Sequence, residues 1–342
     1  MTRFIFWGLV ATVLLSPLPF GAMYPWAYYL IAIVVGLLVL AWSVSLVASS
    51  RNPPVTPGMI WGPAVLYIGV LLWATVQTSP LTPTAWHNPI WSEAAPLLGD
   101  DLRGAISVNP GAAWPAIVRL LSYLGIFWLA MQYGRSGSRA KNIFHAVAIA
   151  GFVYASYGLL VEFTGMRRVL WFDKLNYLDS LTSTFTYKNA YATYAGLGLI
   201  ATVALIFREI EREDFTTMGP RARAHAVLTL LFDRAWYLVL GFVFILSALV
   251  LSDSRGAILA APASLVAFVF ALRLSSARKT PYGRGFLVAM VLLSALYISI
   301  SGGTIFDRFA ITTGTNELRY PLYLATLDAI ALHPLTGWGF GA

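Results

Sequence analysis

"YPWAYYLIAIVVGLLVLAWSVSLVAS", residues Tyr24 to Ser49, carries no charged side chain. A helix needs about 20 mostly apolar residues to cross the hydrocarbon core of a bilayer, and this run exceeds that length. Comparable runs recur at about 4–20, 59–77, 113–132, 144–165, 190–207, 235–251, 256–272 and 286–301 of the 342-residue chain. The chain is 58% hydrophobic and only 11% charged, whereas soluble domains run at about 25% charged. The expected fold is therefore all-α: a polytopic transmembrane helical bundle of about nine spans. It would form a single integral membrane domain over residues 1–342, with residues 302–342 opening a large outer loop. Pro17, Pro19 and the bulky residues after them offer no small-residue cleavage site. The first run is thus expected to remain as a span rather than be removed as a signal peptide.

Several chemistries are excluded early. There are no cysteines, so neither a disulfide nor a thiolate metal site can form. The four histidines, His87, His145, His225 and His333, show no metal-ligand spacing, and no metal or other cofactor is expected. No glycine-rich phosphate loop precedes a helix. The net charge of +8 does not imply nucleic acid, because in a polytopic protein a basic face reports orientation. With a cytoplasmic N-terminus, the inner loops hold fourteen of the 23 Lys and Arg residues against five acids. The outer side and the spans hold the other nine cations against ten acids. The inner loop 208–234 reads as a solvated charge run, partly helical and lipid-facing.

The outward cations are not explained by that rule. Arg255 follows Asp253-Ser254 in "VLSDSRGAIL" and opens the eighth run. Lys188 precedes the sixth in "STFTYKNAYATYAGLGL", and Arg319 opens "RYPLYLATLDAIALHP", where Pro321 suits a first helical turn. All three stand at outward helix N-termini, where the macrodipole is already positive. A shared anion would offset the repulsion, and a helix N-terminus beside a basic side chain is a ready phosphate site. A lone interfacial arginine that only snorkels to lipid phosphates would occupy the same kind of place. Asp253 either pairs with Arg255 or caps its helix; Asn189 either hydrogen-bonds a sugar or diphosphate or caps the sixth span. Glu162, an acid near the outer end of its run, is a functional candidate or an interfacial residue. Trp26, Trp86, Trp91, Trp114 and Trp171 fall at predicted boundaries, as an aromatic belt would. The outer loop 78–111 is a connector or a cover over an acceptor path.

These segments carry a resemblance. "FTYKNAYATYAGLGL", "LSDSRGAILA" and "RYPLYLATLDAIALHPLTGWGFG" are similar, in order and spacing, to the O-antigen ligase family, which includes related polysaccharide polymerases. "PLPFGAMYPWA" (residues 17–27) resembles the family's first outer turn. The closing "R…HPLTGWGFG" is the most specific part, and the resemblance covers most of the chain. It implies an all-helical membrane glycosyltransferase of GT-C-like architecture, at the outer face of the bacterial inner membrane. The implied reaction moves a glycan from a polyprenyl-diphosphate carrier to an acceptor hydroxyl on lipid A core, another glycan or a protein, without a metal. The family's two arginines map onto Arg255 and Arg319, which would grip the diphosphate. Lys188, Asn189, Asp253, Ser254 and Tyr323 would line the substrate site, Tyr323 standing where members often have Trp. The partners implied are the lipid-linked glycan, the acceptor and membrane lipids, not nucleic acid.

The family's general base is a histidine in a large loop after the Gly-x-Gly segment. This chain stops at Gly341-Ala342, so that histidine is expected beyond residue 342, and the sequence as it stands is expected to be an inactive fragment. His333 reads as a capping or packing residue at a helix end. Ligase and chain-extending polymerase are not separable here. A lipid-linked glycan or anion flippase is the rival of another class. It would be expected to place polar groups near the midplane, where these runs carry almost no charge.

Overall fold

In a computed structural model, the structure describes residues 2–50, 52–98, 103–212, 218–274, 285, 288–289, 291–296, 299 and 319–341. The described elements are α1 (Thr2–Leu15), α2 (Pro25–Ser49), α3 (Trp61–Thr78), α4 (Ile90–Leu98), α5 (Pro110–Gly134), α6 (Gly137–Phe163), a two-stranded hairpin β1 (Arg168–Val169) and β2 (Phe172–Asp173), α7 (Lys188–Glu211), α8 (Pro220–Thr229), α9 (Trp236–Leu251), α10 (Arg255–Leu274) and α11 (Arg319–Leu332). The fold is all-α and of membrane type. Among the described residues, five helical stretches are long and apolar enough to cross a membrane: α2, residues Pro57–Thr78 ending in α3, α5, α6 and α7. A sixth results if the bent pair leading into α9 counts as one span. Within the apolar run 286–301, the described residues 288–289, 291–296 and 299 are all helical.

Local chemistry accounts for the helix ends. Pro17 and Pro19 stop α1 at Leu15, and 14 residues rise only about 21 Å. The chain then turns through positive φ at Phe20, Gly21 and Ala22. Asn109 caps α5, its side chain accepting from the Ala112 amide at 3.2 Å, with Pro110 at the first helical position. Before α9 a π-helical turn, Leu230–Arg234, bends the chain by 80° between residues 225–234 and α9. The hairpin and α4 fall in stretches the sequence reading left as loops.

The residues divide into two compact units. The first holds residues 1–9 and 25–135 and the described part of 312–342. Within it α5 packs on α2 and α3. Buried Gln132 of α5 accepts from the Val55 amide at 3.1 Å and donates to the Val55 carbonyl at 2.8 Å, fixing the turn before α3. Along α2, Ile33, Leu37 and Leu40 are each 60% exposed or more. Apolar surface on that scale is stable in lipid and a liability in water.

The second unit holds residues 10–24 and the described part of 136–311. Its centre is a mutual packing of α6, α7 and α9, with α10 laid against α7. Lipid tails are as apolar as leucine, so such helices associate through close packing of small residues. Here Gly151 of α6 meets Gly198 of α7, and a Cβ on either would stand 3.1 Å from the other's Cα. Ile245 of α9, fully buried, fills the same crossing. Gly198→Ala should therefore force the two helices apart and cost about 1–3 kcal/mol. Gly196→Ala, two residues away with open space around it, should stabilise by up to about 1 kcal/mol through helix propensity. Thermal unfolding in detergent checks this, and equal effects of the two changes would dismiss the crossing as the organising contact.

Candidate functional site

The site is built where α7 begins and where α9 turns into α10. Ser252, fully buried, donates to the Leu249 carbonyl at 2.5 Å, and the chain then turns at Asp253, whose φ is +54°. That turn carries Asp253 toward the start of α7. Lys188 Nζ lies 3.4 Å from Asp253 Oδ2, and each side chain is about one-fifth exposed. Lys188 Nζ also reaches Ser180 Oγ at 3.3 Å and lies 5.6 Å from the centre of the Tyr177 ring. One residue on, Asn189 Oδ1 accepts from Ser254 Oγ at 3.1 Å, and Ser254 is 4% exposed. Four residues expected at the site thus meet across 65 positions of sequence. Arg255, half-buried, follows as the first residue of α10.

One alternative left open by the sequence narrows. The N-cap position of α7 belongs to Tyr187, so Asn189 sits inside the first turn and points its side-chain oxygen at Ser254 instead. Asp253 also pairs with Lys188, from the start of α7. The segment before α7 is tied down by three bonds. The Leu181 amide donates to the Leu251 carbonyl at 2.9 Å, Ser183 to the Tyr154 carbonyl at 2.6 Å, and Thr184 to the Pro17 carbonyl at 2.9 Å. It is irregular in backbone yet rich in buried Ser and Thr, and the hydroxyls of Ser183 and Thr184 find carbonyls while that of Ser180 accepts from Lys188.

Arg319 and Tyr323 belong to α11 in the first unit. Arg319 is the first residue of that helix, with its side chain outside the described residues, and Tyr323 is exposed. The turn after α11 is rigidly seated. Val108 donates to the Trp338 carbonyl at 2.9 Å, and Gln77 Nε2 to the Thr336 carbonyl at 2.7 Å. Gly337, Gly339 and Gly341 all have positive φ, and a Cβ on Gly339 would collide with Ser107. His333 meets Trp338 edge to face, with ring centres 4.7 Å apart, while Trp338 Nε1 donates to the Ala329 carbonyl at 2.8 Å.

Sequence reasoning passed over Arg119. It lies inside α5, its guanidinium 4.1 Å from the centre of the Tyr28 ring, and its Nε is buried with no hydrogen-bond partner among the described residues. An arginine within an apolar run is itself the signal that would have found it.

Helical length, apolar exposure and a polar cluster at helix ends define a multi-pass, all-α membrane-type protein. Residues 240–342 match the family model described as O-antigen ligase, and this supports assigning the chain to that family. The matched segment includes most of α9, the Ser252–Arg255 turn, α11 and the closing glycine turn; Lys188 and Asn189 lie outside it. No curated protein matches the chain significantly. Nor does any solved structure.

The chain lacks cysteine, so placement can be tested by cross-linking. Asn189→Cys with Ser254→Cys should form an intramolecular disulfide under mild oxidation, visible as a gel shift. Asn189→Cys with Ser138→Cys, at the other end of α6, should not. Equal yields from both pairs would remove the α7–α10 contact.

Proposed function

We propose that this chain carries the donor site of a membrane glycosyltransferase. It would move a glycan from a polyprenyl diphosphate to an acceptor hydroxyl on a lipid, glycan or protein. The observation that carries the reading is the Lys188–Asp253 and Asn189–Ser254 pairing. It joins the N-terminal ends of two helices beside Arg255, at the turn that falls within the O-antigen ligase match. Unpaired amides of a helix's first turn, with a basic residue beside them, suit a diphosphate. In the reaction the acceptor oxygen forms a bond to the anomeric carbon as the bond to the diphosphate oxygen breaks. The electron pair leaves on the diphosphate, and the acceptor's proton passes to a base. Arg255 and Arg319 would bind the leaving diphosphate as its charge grows, the part a metal ion plays elsewhere. Lys188, Asn189, Asp253, Ser254 and Tyr323 would line the substrate site. The family includes polymerases, which use the same donor chemistry with a growing glycan as acceptor.

The chain is then one integral membrane domain of about nine spans and GT-C-like architecture, in a bacterial inner membrane, with the site facing outward. The excess of Lys and Arg on one set of loops supports that orientation. Ser138→Cys should label with an impermeant maleimide only after the cells are opened, and Thr84→Cys in intact spheroplasts. The reverse pattern would invert the topology and move the site to the cytoplasm.

Arg255→Ala should lower glycan transfer from a purified polyprenyl-diphosphate donor roughly a hundredfold, about 3 kcal/mol of transition-state stabilisation. Arg255→Lys should restore only part of it, since lysine keeps the charge but loses the planar fork that binds phosphate oxygens in pairs. Chelator should not change the wild-type rate. Near-normal transfer by Arg255→Ala, with strong loss from His333→Ala, would reassign the roles.

A further inference from the structure

Beside the Lys188 cluster, the second unit has a cavity of about 170 Å³ lined by Phe20, Tyr24, Phe172, Asn176, Thr186 and Tyr187, among others. Its wall is aromatic. Phe20 meets Phe172 edge-on at 5.0 Å and Tyr24 edge-on at 5.5 Å, while Tyr24 and Phe172 lie near parallel at 6.3 Å. Trp171 closes on Phe20 at 5.4 Å. Three of these rings remain well exposed: Trp171 at 67%, Phe172 at 51% and Tyr24 at 39%. Two devices hold them there. The β1–β2 hairpin pairs Val169 with Phe172, and the turn after α1 uses Gly21, where a Cβ would press on the Phe185 ring at 2.5 Å.

The polar side of the cavity is electrically quiet. Asp173 is held by Arg168 at 2.9 Å. Lys174 donates to the Ser180 carbonyl at 2.6 Å; partial burial lowers its proton affinity, and the carboxylates of Glu162 and Asp179 oppose that shift. What the cavity offers is aromatic surface together with the amide of Asn176 and the hydroxyls of Thr182 and Thr186. A diphosphate would find no surplus of cations here. A lipid chain would leave the Asn176 amide unmatched, although the Thr186 hydroxyl already donates to Met23 Sδ at 2.8 Å. A pyranose ring suits both halves: its C–H face lies on an aromatic ring, and its hydroxyls exchange hydrogen bonds with amide and hydroxyl groups. The volume is below the ~300–1,000 Å³ of sites for drug-sized ligands, so it seats one ring of a longer chain.

The cavity also adjoins the cluster through named atoms. Ser180 accepts from Lys174 at its carbonyl and from Lys188 at its hydroxyl, so a single residue ties the two lysines together. Tyr187, on the cavity wall, is the residue directly before Lys188. The geometry points to a saccharide subsite, formed by Phe20, Tyr24, Phe172, Asn176 and Thr186, that takes an uncharged sugar ring of the lipid-linked glycan. This rests on the donor-site reading above, and it locates the part of the donor that the diphosphate contacts leave unbound.

Saturation-transfer NMR on the full chain in nanodiscs tests it, with free N-acetylglucosamine, galactose and rhamnose as sugar probes and inorganic pyrophosphate binding measured by calorimetry. At least one sugar should receive saturation, strongest at its ring C–H protons. Phe172→Ala and, as a shape-preserving variant, Thr186→Val should each reduce that signal at least fivefold with unchanged thermal unfolding. Arg255→Ala should leave the sugar signal intact and abolish pyrophosphate binding. No saturation for any sugar in the wild type, or signals unchanged in both cavity variants, would overturn the subsite. Lipid acyl signals that change in Phe172→Ala, with no sugar signal, would make the cavity a lipid contact and overturn it too. Sugar binding that depends on Phe172 alongside pyrophosphate binding indifferent to Arg255 would retain the subsite and remove the diphosphate reading.

Discussion

The contact of Gly151 with Gly198 governs much of the second unit. Two helices without side chains at the crossing approach until backbone meets backbone, and Ile245 of α9 closes the third side. In lipid no solvent effect drives such surfaces together, so the dispersion gained at close range has to do it. The consequence reaches the helix ends. Once α6, α7 and α9 are locked in mid-helix, the start of α7 and the end of α9 are neighbours, and Lys188 has Asp253 within reach. A bulkier crossing would separate these ends before it unfolded the helices.

Polar accounting then shapes the connections. Inside hydrocarbon every amide must be satisfied within its own helix, so irregular backbone is confined to protein-covered or wet places. Side-chain and backbone bonds tie residues 174–187 to other segments. The hydroxyls of Ser183 and Thr184 donate to the carbonyls of Tyr154, inside α6, and Pro17, after α1, while the Leu181 amide donates to the Leu251 carbonyl. The loop is thereby a fixed wall rather than a tether. Lys188, Tyr187 and the aromatic cavity inherit their positions from it.

How much of this the sequence discloses varies with the range of the interaction. Hydropathy locates the helices, because a span is a local property of about 20 residues. Each run coincides with a helix, and in 286–301 every described residue is helical, although α1 and α9 are shorter than a straight crossing needs. The cations at helix starts were also legible, since Lys188, Arg255 and Arg319 open α7, α10 and α11. The Lys188–Asp253 pair was not, because it joins residues 65 positions apart. Nor was the aromatic cavity, whose rings come from a turn near residue 20 and a hairpin near residue 170. Those two stretches read separately as a boundary and a loop. Arg119 was missed for another reason: an apolar average over 113–132 hides one cation that stacks on Tyr28.

The closing motif separates architecture from chemistry. Its glycines are required by backbone: positive φ at three positions, and at Gly339 an approach to Ser107 that leaves no room for any side chain. His333 and Trp338 pack on each other and close the last turn of α11 onto its own carbonyls. Gln77 and Val108 bind the turn's carbonyls from α3 and from the segment before α5. So the histidine, the tryptophan and the glycines of "HPLTGWGFG" are accounted for by the turn they build. What they cannot account for is Arg319, a cation set at the positive end of α11, where it lowers helix stability unless something negative answers it. In the proposed donor site the diphosphate would be that negative group.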